Sequence, residues 1–240
     1  LLEGFAFMSA RIQLKMDAEF PRFSQRLLDL VCPGYLSPTP AMGVVQFEPS
    51  KSEGGSPDGH LLPRQSRLRA RLPAQEQTAC EFRTAHDVQI WPLRLSEVRL
   101  TAAPPDLPIS GFRWGAPVRG ALRLTFETTN HVDVASIKLD SLPIFINGAA
   151  DTASKLQELL HTQCIGMLVH AGGLPIRNLT PYPPEALQPE GFTTDQALLP
   201  VESRAFDGHR LLHEYFAFPD RFRFFSVNDL QRSLRGISGS

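Results

Sequence analysis

The sequence predicts an α+β protein: an N-terminal helical arm followed by a mostly antiparallel β domain carrying short helices. Three observations lead there. Apolar residues recur at helical spacing near the start, the middle of the chain alternates polar and apolar residues with period two, and a cluster of prolines and glycine separates the two patterns. The expected division is a helical arm over residues 1–40 and a β-rich region over 41–240. If that region forms two subdomains, their boundary is expected near 103–120.

Residues 1–20 carry the clearest helical pattern. Leu1, Phe5, Met8, Ile12 and Met16 define one apolar stripe, while Phe7 and Leu14, seven residues apart, lie on nearly the opposite side. A helix apolar on two sides is normally sandwiched between neighbours, so Phe7 and Leu14 are candidate partner contacts in a bundle completed from outside the chain. Pro21 suits the first turn of a second helix, with Phe23, Leu27, Leu30 and Val31 facing inward. Pro33, Gly34, Pro38 and Pro40 then end helical structure.

"MGVVQF" is a short strand candidate, and residues 48–63 read as an exposed, mobile loop. Strands dominate beyond it. "RLRARL" sets Arg67, Arg69 and Arg71 against Leu68, Ala70 and Leu72; "TACEFRT" places Cys80 and Phe82 inward; "DVQIWPL" alternates Val88 and Ile90. "ALRLTFET" aligns Leu122, Leu124 and Phe126, and "SIKLDSLPIFING" adds one or two strands. "DTASKLQELLHT" reads as a helix with Asp151 as N-cap and Leu156, Leu159 and Leu160 inward. Strands near 164–170 and 174–179 lead into a connection containing Pro181, Pro183, Pro184 and Pro189. A helix over 208–217 and a strand at "FRFFSV" close the pattern.

Composition narrows the function classes. Hydrophobic residues make up 42% and charged residues 20%, with a formal net charge of −1, so nothing in the overall charge points to nucleic acid or an anionic membrane. No apolar run approaches the roughly 20 residues that cross a bilayer. Cys32, Cys80 and Cys164 lie far apart, which is neither a disulfide framework nor a thiolate metal knot and suggests a reducing compartment. The opening "LLEGFAF", already in helical rhythm and without a basic leader, reads as a segment beginning inside a larger protein.

Candidate chemistry centres on "GHRLLHEYFAFP". His209 and His213 share one helix face, as two ligands of a metal-dependent hydrolase would. In a zinc protease helix, however, the Glu directly follows the first His; here Glu214 follows the second, and no third ligand is signalled. The simpler reading makes Leu211, Leu212, Tyr215, Phe216 and Phe218 core, with the histidines at the edge. Arg67, Arg69 and Arg71 could hold phosphate, but no aromatic platform accompanies them, and their face suits a protein contact. Gly172 and Gly173 lack the spacing of a phosphate loop and fit a turn. Asn178-Leu-Thr is a chance-level glycosylation match, and the closing "GISGS" lacks the context of a nucleophile elbow. The acid pairs Asp17/Glu19 and Glu53/Asp58 have nothing around them to raise a pKa. No catalytic residues, metal or cofactor are expected.

Several long motifs, taken in order, resemble the TssF (VasA/ImpG) family of type VI secretion baseplate proteins. They are "LLEGFAFMSARIQLKMDAEFPRFSQRLLDLVCPGYLSPTPAMGVVQFEP", "CEFRTAHDVQIWPL", "LRLTF", "LPIFING", "LLP" and "GHRLLHEYFAFPDRFRFF". The resemblance implies an internal N-terminal-half fragment of a non-enzymatic structural protein. It further implies assembly with TssG, a second copy of TssF, TssK and other baseplate and spike proteins. By the same resemblance the assembly is expected to be cytoplasmic and membrane-docked, without direct membrane insertion or nucleic acid, and to support sheath assembly and contraction. Arg210, Leu211, Leu212, Glu214, Tyr215, Phe216, Phe218 and Pro219 fall in what resembles a fold signature. After Arg64 the family pattern leads one to expect glycine, and Gln65 stands there.

Overall fold

A computed structural model of the chain describes residues 2–49, 56–72, 78–129, 131–173, 176 and 178–237. In chain order the elements are α1 (Leu2–Val31), β1 (His60–Leu62), β2 (Arg67–Arg69), β3 (Glu81–Arg83), β4 (Val88–Ile90), β5 (Leu93–Ala102), β6 (Gly120–Thr128) and β7 (Leu142–Phe145). These are followed by α2 (Ala150–Thr162), β8 (Met167–Val169), β9 (Thr180–Tyr182), β10 (Leu187–Pro189), α3 (Asp207–Ala217), β11 (Phe224–Val227) and α4 (Gln231–Leu234). The α+β expectation holds: an N-terminal helix precedes small antiparallel sheets and short helices. The chain divides into two compact units, Leu1–Gly43 with Ala197–Pro219, and Val44–Gln196 with Asp220–Ser240.

In the first unit α1 is one continuous helix of 30 residues with Pro21 inside it, not two helices meeting at Pro21. Phe23, Leu27 and Leu30 fall at the same helical angle as Phe5, Met8 and Ile12, so the apolar stripe runs unbroken across the proline. An interior proline removes one backbone donor and costs about 3 kcal/mol, so a continuous helix here calls for packing from elsewhere. None of the described residues of α1 is buried.

The second unit holds the apolar core. Val132, Ile137, Leu139, Ile146, Ala153, Phe225, Val227 and Leu230 form one buried cluster, flanked by Trp91, Leu142, Ile144, Leu156 and Leu160. The three-stranded sheet β10–β11–β7 builds one wall of this core, with Phe225 paired across from Ile144 and Val227 across from Leu142. α2 supplies Ala153, Leu156 and Leu160, while Leu159 stays 41% exposed. Its N-cap is Ala149, with Asp151 within the first turn, where a carboxylate is favoured.

Several expectations are corrected. Residues 42–47 form no strand, since none of the described residues pairs with them. β1, which pairs with β4, lies within the stretch read as a loop, of which residues 50–55 (including Glu53) are outside the described residues. Cys80 is exposed and Phe82 is 41% exposed; among the described residues β3 pairs with β2 alone, in a two-stranded sheet. β9 and β10 run through the proline-rich connection; prolines are tolerated there because each strand has an outer edge that needs no donor. Residues 174, 175 and 177 of the expected 174–179 strand, Leu1 of the first stripe, and the last three residues of "GISGS" lie outside the described residues.

β5 was not legible as a strand. It pairs with β6 along nearly its whole length, with a bulge at Ser96 between the Leu95–Phe126 and Glu97–Thr125 pairs. The bulge shifts the phase of the side-chain alternation by one residue, which hides the period-two pattern.

Candidate functional site

The chemistry-bearing residues of α3 sit the opposite way from the expected one. Arg210 and Glu214 are buried, at 8% and 0% exposure, while Leu212, Tyr215 and Phe216 are 60%, 53% and 80% exposed. Leu211 and Phe218 are half-buried, and Pro219 is exposed. The core reading of the apolar residues is therefore corrected: the helix turns its charges inward and its aromatics outward.

Hydrogen bonding explains how the charges are tolerated. Arg210 donates from Nε and Nη2 to the two Asp207 carboxylate oxygens, at 2.7 and 2.8 Å, and from Nη1 to Glu214 Oε1 at 3.0 Å. The same Oε1 accepts the backbone N–H groups of Leu198 and Leu199, each at 3.0 Å. Glu214 thereby ties residues 198–199 to α3, and Arg210, one turn from each, bridges two carboxylates about two turns apart. The Arg210 hydrogen bond holds the Asp207 carboxyl below its ordinary range, and Asp207 in turn raises the Arg210 guanidinium. Among the described residues of this unit, the buried ones are Ala197, Arg210 and Glu214, so its interior is polar.

The histidines have other duties. His213 Nε2 shares a hydrogen bond of 2.9 Å with Thr39 Oγ1, linking α3 to the segment after α1. His209 is exposed and meets the Phe206 ring edge-on at 5.6 Å. Among the described residues no three His, Cys, Asp or Glu side chains gather as a metal site would need.

Phe7 and Leu14 are 62% and 68% exposed on α1. Arg11 covers part of the Phe7 ring, its guanidinium carbon 5.8 Å from the centroid. Along the main stripe Phe5, Met8, Ile12, Met16, Phe23, Leu27 and Leu30 are each between 54% and 77% exposed. A 30-residue helix is about 45 Å long, so this is an extended apolar face, well beyond the scattered exposure usual on a monomer. Arg67, Arg69 and Arg71 are exposed on and beside β2; Glu81 lies 3.6 Å from both Arg67 and Arg83, so part of this charge is neutralised locally. The residues the sequence reading missed are Asp207, Leu198 and Leu199. Asp207 was visible as the acidic residue opening α3, but the loop backbone carries no side-chain signal.

Gln65 adopts the left-handed backbone conformation, φ 68°, in a turn closed by Thr84. Thr84 Oγ1 accepts from Ser66 N–H and donates to the Pro63 carbonyl, and Gln65 N–H donates to the Thr84 carbonyl. The turn is thus built as for glycine, with a glutamine bearing the strain.

Comparison with known proteins agrees with this arrangement of a helical unit and small sheets. The family profile described as "Type VI secretion system, TssF" matches residues 1–240. The type VI secretion system component TssF1 of Pseudomonas aeruginosa is 39% identical over 241 residues, an alignment covering all of this chain and 38% of that protein. Among solved structures, a chain of the TssK-TssF-TssG baseplate subcomplex, determined by cryo-electron microscopy, superposes with a TM-score of 0.73 at 25% identity. That match covers 97% of this chain and 40% of the other. The chain therefore spans about two fifths of the length of the relatives it matches. With the profile spanning every residue and the P. aeruginosa protein aligned throughout, the chain belongs to the TssF family of type VI secretion system proteins.

Proposed function

We propose that this chain is part of a structural, non-enzymatic subunit of the type VI secretion baseplate. In this reading it joins TssG-type and TssK-type proteins and a second TssF-type copy at the cytoplasmic side of the membrane, around the spike, where the assembly supports the sheath and its contraction. No helix among the described residues is long and apolar enough to cross a membrane, which fits a protein held in place by its partners.

One observation carries the reading: α1 exposes apolar side chains along its whole length and on two sides. Helices of this kind owe their stability to neighbours, and among the described residues of the unit to which α1 belongs the buried ones are Ala197, Arg210 and Glu214, which offer it no apolar core. Helix-to-helix packing with a partner protein supplies the missing neighbour. Phe7 and Leu14 lie on the side away from the main stripe, where a third helix of a bundle would sit. Tyr215 and Phe216 extend the apolar surface available on α3, and Arg67, Arg69 and Arg71 form a separate basic rim suited to an acidic protein face.

Phe7→Asp combined with Leu14→Asp tests this in the full-length protein. Recovery of the TssG-type partner by co-purification should fall at least tenfold, with the melting of the β-rich unit unchanged. Undiminished recovery would remove α1 from the interface.

A further inference from the structure

β5 and β6 form a two-stranded antiparallel ribbon, and neither has another strand partner among the described residues. Register assigns its two faces. Leu95 pairs with Phe126, Val98 with Leu124 and Leu100 with Leu122, and the bulge at Ser96 places all six on one face. The other face carries Arg94 opposite Glu127, Glu97 opposite Thr125 and Arg99 opposite Arg123.

The polar face satisfies itself. Arg99 pairs with Glu97 at 2.6 Å, and Arg123 reaches both Asp106 oxygens at 2.8 and 2.7 Å. The apolar face does not. Leu93, at the base of the ribbon, packs on the core, and exposure then climbs along β5: Leu95 43%, Val98 55%, Leu100 69%, with Phe126 at 36%, while Leu122 and Leu124 are half-buried. A lone two-stranded ribbon is marginal in water, and sheets with an apolar face are normally covered by a second layer.

The size of the patch decides what covers it. Even with the roughly 200 Å² of an aromatic side chain taken as the upper bound for each, those fractions amount to no more than a few hundred Å². A stable contact between separate chains needs roughly 800 Å² from each. A segment tethered to the same polypeptide works at an effective concentration in the ~mM range, so a patch this small suffices for it. The related chains are more than twice as long as this one, which leaves ample polypeptide to supply such a segment.

We infer that the apolar face of the β5–β6 ribbon is covered by a part of the full-length polypeptide outside these 240 residues, stacked as the second layer of a two-layer structure. The inference is independent of the α1 interface, because it concerns closure within one chain.

The test uses the full-length protein purified without its assembly partners, carrying single substitutions Val98→Cys, Leu100→Cys or Arg99→Cys. Thiol-probe labelling is mapped to each site by peptide mass. The Arg99 side chain is 63% exposed here, comparable with Val98 and Leu100, so it is an internal reference on the opposite face. Labelling at 98 and 100 is expected to be at least tenfold slower than at 99, independent of protein concentration. Equal rates at the three sites would overturn the inference. Protection that appears only at high protein concentration, or only when a second protein is added, would overturn it too, by placing the cover on another chain. Hydroxyl-radical footprinting of Leu100 and Phe126 in the unsubstituted protein reads the same contrast should a cysteine variant fail to fold.

Discussion

Arg210 and Glu214 sit one helical turn apart with Arg210 Nη1 donating to Glu214 Oε1 at 3.0 Å, both side chains almost wholly removed from solvent. Two consequences follow from a paired charge in such a place. The pair contributes little over an apolar replacement of both members, yet breaking it strands a charge.

Arg210→Ala is accordingly expected to destabilise the α3 region by about 3–5 kcal/mol, because Glu214 is left buried without its cation. Glu214→Gln, which keeps an oxygen for Leu198 and Leu199, should cost about 1–2 kcal/mol. Hydrogen exchange at the amides of Leu198 and Leu199 reports both: acceleration is expected in each variant and greater in Arg210→Ala. Unchanged exchange would mean that residues 198–199 are held by something else.

Gln65→Gly should stabilise the protein. At φ 68° a side chain costs roughly 1–2 kcal/mol that glycine avoids, and the extra freedom of glycine in the unfolded chain returns about half of that. A net gain near ~1 kcal/mol corresponds to a rise in melting temperature of about 2–4 °C. A lower melting temperature would show that the Gln65 side chain contributes a contact of its own.

Gly166→Ala tests the packing around Trp114. A Cβ at Gly166 would lie 2.4 Å from Trp114 Cζ3 and 3.0 Å from the Tyr182 carbonyl oxygen, so the indole must move. The indole also donates from Nε1 to the Ile109 carbonyl at 3.0 Å, and shifting it strains that bond. A loss of about 1–3 kcal/mol and a change in tryptophan emission are expected. Wild-type stability and emission would contradict this account of the site.

His86 gives the protein a pH dependence. Burial, and then the nearby Arg221, depress its pKa below the ordinary 6.5, with Arg64 adding to the effect and Glu190 and Asp195 opposing it. Its Nδ1 is buried and has no hydrogen-bond partner among the described residues. The folded state therefore favours neutral histidine. Stability is complete above pH 6.5 and declines as pH falls below it toward the depressed value, since the unfolded chain binds the proton first. His86→Gln should flatten the stability profile across that window. A profile as steep as that of wild type would assign the slope to other groups.

How much of this was legible in the sequence depended on what one-dimensional patterns can carry. The α1 stripe was readable because period 3.6 survives in the residue order, but Pro21 fits a helix start and a helix interior alike. β5 was hidden because the bulge at Ser96 puts Leu95 and Val98, three residues apart, on one face. β9 and β10 were hidden by prolines that sheet edges tolerate. On α3 the periodicity marked the apolar residues as core, whereas the buried side is Arg210 and Glu214. A polar interior becomes intelligible only when the loop amides that satisfy it are known. The aromatic side, with Tyr215 and Phe216, is left exposed.

Methionine oxidation tests the central claim most directly, since α1 carries two built-in reporters. Met8 and Met16 are 57% and 61% exposed along the main stripe, whereas Met167 is half-buried in the β-rich unit. On assembly of the full-length protein with its TssG-type partner, oxidation of Met8 and Met16 should slow at least tenfold relative to the protein alone, with Met167 unaffected. Oxidation of Met8 and Met16 at the same rate in the assembled and the isolated protein would contradict the assignment of α1 to a subunit interface.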